Sequence, residues 1–103
     1  MDLIRAALEE FVEESVNKIA PKTGVPFAPG PKASHFRAPL DYLRDHHAIT
    51  VDEHYAVNGI YKMLSNAGVH KLESSLELAR VARNLVIEWL LLLSGRVEGF
   101  SRP

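Results

Sequence analysis

The chain of 103 residues has no cysteine, so it offers no disulfide framework, no thiolate metal site and no thiol nucleophile. That composition fits a reducing, cytoplasmic setting. An excess of either charge is missing too: twelve Lys and Arg stand against thirteen Asp and Glu, a net charge of −1. A protein that grips nucleic acid through many phosphates carries a broad basic footprint, so DNA is not an expected partner and RNA would need a small local basic site. Long apolar runs are also lacking. The longest, Leu85-Val86-Ile87 and then Trp89 to Leu93, is broken by Glu88 and falls far short of the roughly 20 residues that span a bilayer. The N-terminal stretch carries Glu9, Glu10, Glu13 and Glu14 instead of the basic-then-apolar layout of a signal peptide, so no membrane partner is expected. Nor is there a glycine-rich phosphate cradle or a serine in a nucleophile-elbow pattern, since Gly24 and Gly30 sit among prolines.

What the sequence does contain is helical periodicity. With 47% hydrophobic residues it has material for one core, and the spacing predicts an all-α fold, a small bundle of about four helices. Ile4, Leu8, Phe11 or Val12, and Ile19 recur on one side of residues 2–19, giving an amphipathic N-terminal helix or arm over 1–20. Pro21 is expected to end it. Pro21, Gly24, Pro26, Pro29, Gly30 and Pro31 make 21–33 a Pro/Gly-rich connector, long enough that the first helix reads as a separately docked arm or a remnant of a neighbouring domain. The main helical domain then covers 34–95, with a tail over 96–103.

Within that domain Phe36, Leu40, Leu43 and His47 keep a three-to-four spacing, and Pro39 marks the start of a short second helix. Thr50 with Glu53 forms a capping box that opens a third helix, whose inner face is Val57, Ile60, Tyr61 and Leu64. His54, Asn58, Lys62 and Ser65 line up on a face expected to be wet. Ser74 with Glu77 repeats the box before a fourth helix, which Gly95 is expected to end. Early in this helix Glu77, Arg80, Asn84 and Glu88 oppose Leu78, Ala82, Leu85, Val86 and Trp89, but its last two turns are apolar nearly all round. Trp89, Leu90, Leu92 and Leu93 there are the expected interface.

Five histidines invite a metal reading. His46, His47 and His54, near Asp45, Asp52 and Glu53, lack the one-turn pairing that puts two imidazoles on one helical face, and His35 lies in a loop. No metal and no cofactor is expected.

The segment Ser65-Asn66-Ala67-Gly68-Val69-His70, leading to Ala79-Arg80-Val81-Ala82-Arg83-Asn84, carries a family resemblance. It resembles a degraded form of the motif of HEPN domains, small helical bundles of prokaryotic defence and toxin systems. The stretch from Ser34 to Leu93 is also similar to the C-terminal helical region of abortive-infection proteins. The resemblance implies a site that is typically formed across a dimer. Ser65 stands at the arginine position, Asn66 at the polar position and His70 at the histidine position. Metal-independent RNA cleavage needs a base for the ribose 2′-hydroxyl and a cation for the phosphate. His70 could be the base, but Ser65 cannot be the cation; Arg80 or Arg83 would have to reach the site from the next helix or a second subunit. The leading expectation is therefore a non-catalytic HEPN-like interaction domain that forms a homodimer or docks on a partner protein. A weak ribonuclease using His70, Asn66, Arg80 and Arg83 is the enzyme alternative, and an unrelated helical scaffold the third.

Overall fold

The apolar residues of the first helix fix the architecture. In the computed structural model, which describes residues 2–65 and 76–100, four helices are present: α1 (Asp2–Thr23), α2 (Arg37–Asp45), α3 (Val51–Ser65) and α4 (Leu76–Glu98). Among the described residues there is no strand. Leu8, Val12, Val16 and Ile19 repeat every three or four residues along one side of α1, and each is essentially inaccessible to solvent. They pack into one cluster with Phe36, Leu40 and Leu43 of the α2 region, Val57 and Leu64 of α3, and Ala82, Val86, Leu93 and Val97 of α4. Helix α1 packs against all three other helices. Burying each such aliphatic side chain contributes about 1.5–3 kcal/mol, so a detachable N-terminal arm gives way to a helix at the centre of the core.

The expectation that Pro21 ends this helix is also corrected, because α1 continues through it to Thr23. Proline removes one backbone donor, but in the last turn only one intrahelical bond is lost. The chain turns at Gly24, whose φ of 74° lies in the left-handed region and whose N–H reaches the Ala20 carbonyl at 3.2 Å. The connector after it is pinned down. The Thr23 hydroxyl lies 2.8 Å from that of Tyr42, which donates to the Val25 carbonyl at 2.5 Å, and the Phe27 ring meets the Tyr42 ring edge-on.

Ser34 starts α2 by accepting the Phe36 and Arg37 backbone N–H groups on its hydroxyl oxygen, at 3.2 and 3.0 Å. Pro39 sits in the first turn, where its missing N–H would have had no helical partner. The helix closes with paired bonds from the His47 N–H to the Arg44 carbonyl and from the Ala48 N–H to the Leu43 carbonyl, at 3.0 and 2.9 Å. That Schellman closure puts His47 at φ 63°, so it leaves the helical face on which its spacing from Leu43 had placed it. Phe36 is stacked flat on Tyr61 of α3, centroids 3.8 Å apart, and the Tyr61 hydroxyl donates to Glu9 of α1.

The Thr50–Glu53 capping box forms as read: the Thr50 N–H donates to Glu53 Oε1 at 2.8 Å and the Glu53 N–H to Thr50 Oγ1 at 3.0 Å. Ser74 of the second box lies outside the described residues. Helix α4 does not stop at Gly95 but runs to Glu98, because Val97 has a place in the core and the Gly99 N–H bonds the Gly95 carbonyl. Among the described residues no helix is long and apolar enough to cross a membrane.

Candidate functional site

Among the described residues, the densest group of ionisable side chains joins α2 to α3. Asp41 accepts from Arg37 Nε one turn earlier at 2.9 Å and lies 2.7 Å from His54 Nε2 across the helix pair. A carboxylate only accepts, so Nε2 of His54 carries the proton in this contact. Arg44 flanks the pair, 3.7 Å from Asp41, and also contacts Asp45. Burial pushes the Asp41 carboxyl upward, but hydrogen bonds from His54 and Arg37 and the charges of Arg37 and Arg44 outweigh it and hold the carboxyl below its ordinary range.

His54 is thereby a correction to the expected wet face of α3, since only 3% of it is exposed. The partner lies thirteen residues away, on another helix, and no helical spacing within α3 announces it. With Nε2 committed to Asp41 and the ring covered, His54 is not placed to take a proton from a ligand. The cluster fastens two helices. A second link crosses to α4, where Arg96 Nε donates to Glu53 Oε2 at 3.1 Å, so the capping glutamate serves both helices.

Of the residues singled out for chemistry, only Arg80 and Arg83 fall among the described residues. Asn66 and His70 lie outside the described residues. Arg80, Arg83 and Asn84 are exposed on α4, and neither arginine has an ion pair among the described residues. Among the described residues no group of three or more His, Asp or Glu is placed to hold a metal ion.

A cleft of about 190 Å³ opens beside the connector, walled by Phe27, Pro29, Pro31 and Pro39, with Glu13 and His35 at its edge. Ligand pockets usually enclose about 300–1,000 Å³ around convergent polar groups. Here the two ionisable side chains are solvent-exposed, and among the described residues neither has a bond that would fix its aim.

The outer side of α4 is different in kind. Val81, Leu85, Ile87, Leu91 and Leu92 are between 42% and 66% exposed, although all are large and apolar. Of the expected interface residues only Leu92 stands fully on this surface. Leu93 turns into the core, and Trp89 and Leu90 pack partly against it, because the side of α4 that faces the bundle runs through Ala82, Val86, Leu93 and Val97. Leu91, with no place in the expected interface, is the most exposed of the set. Comparison with protein-family models, with curated proteins and with solved structures gave no match.

Proposed function

We propose that the chain is a non-catalytic helical interaction and dimerisation domain, with the outer face of α4 as its binding surface. One observation carries this: five large apolar side chains lie exposed along a single helix whose opposite side already fills the core. Five large apolar side chains left exposed on one helix are more than the scattered single residues of an ordinary surface, and they mark a place where another surface belongs. The polar interior supports it from another direction, since no buried side-chain nitrogen or oxygen among the described residues lacks a hydrogen bond. The α2–α3 cluster is thus complete in itself, whereas the α4 face is not.

The resemblance of residues 34–95 to HEPN domains, whose members pair, points the same way. Ser65 at the motif's arginine position speaks for a role without catalysis. The test is a light-scattering series over protein concentration, comparing the natural chain with Leu91→Glu and Leu92→Glu. Both positions are exposed, so the variants keep the helical circular dichroism of the natural chain while losing its association. A natural chain with the mass of a monomer at every concentration, binding no partner through this face, would refute the reading.

A further inference from the structure

The charges on α4 say what covers its apolar face. Arg80, Asn84, Ile87, Leu91 and Glu98 follow one another at three, four or seven residues, so they form a single stripe along the helix. All five are exposed. The stripe begins with a cation, has its apolar pair in the middle and ends with an anion. Turned end over end it matches itself: Arg80 falls opposite Glu98, and Ile87 opposite Leu91.

Neither Arg80 nor Glu98 has an ion pair among the described residues. Glu98, moreover, is an anion at the last residue of α4, where the helix macrodipole disfavours it. Gly95 adds to this. It sits inside the helix, where glycine costs stability, and a β-carbon there would meet nothing within 4 Å, so no neighbour in the chain requires it. One turn after Leu91, it leaves room for a second backbone to come close.

We infer that two copies of this chain pair through antiparallel α4 helices, with Ile87 of each against Leu91 of the other and an Arg80–Glu98 ion pair closing each end. This rests on the proposal that α4 is the binding face and adds the partner and the register. Eighteen residues separate the two charged ends, about 27 Å of helix at a rise of roughly 1.5 Å per residue, so two clasps flank one apolar seam. Parallel pairing would instead set arginine beside arginine and glutamate beside glutamate.

Charge reversal tests the register. In sedimentation equilibrium at low ionic strength, R80E and E98R each place two like-charge pairs at the seam and weaken dimerisation about tenfold, a size expected of two reversed surface pairs. The double variant R80E/E98R restores opposite charges across the seam and returns the dissociation constant to within about threefold of the natural value. Both positions are exposed and outside the core, and E98R improves the match to the macrodipole, so thermal unfolding of the separated chains changes little with either. A dimer broken by Leu91→Glu but indifferent to R80E and E98R, or a double variant no better than the single ones, would overturn the antiparallel register while leaving the α4 face standing. A natural chain that never dimerises would overturn both.

Discussion

His47 shows how much of this molecule is decided at single side chains. It occupies the left-handed position of the α2 closure with a β-carbon that such a conformation penalises by about 1–2 kcal/mol. The imidazole of His47 is exposed, so His47→Gly should raise the free energy of unfolding by about 1 kcal/mol in urea melts. Asp41 supplies a pH signature. Its carboxyl titrates lower in the folded chain than in the unfolded one, so its contribution is fully present above the ordinary aspartate pKa of about 3.9 and disappears as pH falls through the folded value. The stability gap between the natural chain and Asp41→Asn should thus be widest near neutrality and shrink on acidification. A gap unchanged down to pH 2 would mean that Asp41 is not the charged partner of His54 and the arginines. The Thr50–Glu53 capping box was legible in the sequence because both partners lie within four residues. The Asp41–His54 bond was not, since only the packing of α2 on α3 brings the two together.

At the level of whole helices, apolar periodicity identified each of the four, but not where they stop. Pro21 and Gly95 were natural full stops, and the helices run past both because Val97 and the turn at Gly24 supply what the local signal could not. Gly59 lies inside α3 on its exposed side, and a β-carbon there would touch nothing within 4 Å. Gly59→Ala should therefore stabilise the fold by about 0.5–1 kcal/mol through helix propensity alone. An unchanged or lowered unfolding midpoint would show that this face of α3 is covered in solution. The same reasoning separates the two polar links. The α2–α3 cluster is anchored on the buried His54 ring, whereas the Glu53–Arg96 pair has its arginine half open to solvent and contributes less.

For the molecule as a whole, the contrast that matters lies between buried polar groups that are all bonded among the described residues and α4, which leaves five large apolar side chains exposed. The sequence already pointed to an over-apolar end of the last helix. It could not say which residues faced outward, because four consecutive leucines look alike until the helix is rotated against its neighbours; Leu93 then goes in, and Leu91 and Leu92 go out. The central claim is that this outer face is where chains meet. The most direct measurement is a mixed sample of isotope-labelled and unlabelled chains, in which nuclear Overhauser contacts are recorded only between different molecules. The account predicts cross-chain contacts between the methyl groups of Ile87 and Leu91. A concentrated sample with the mass of a monomer and no contact between chains at α4 would contradict it.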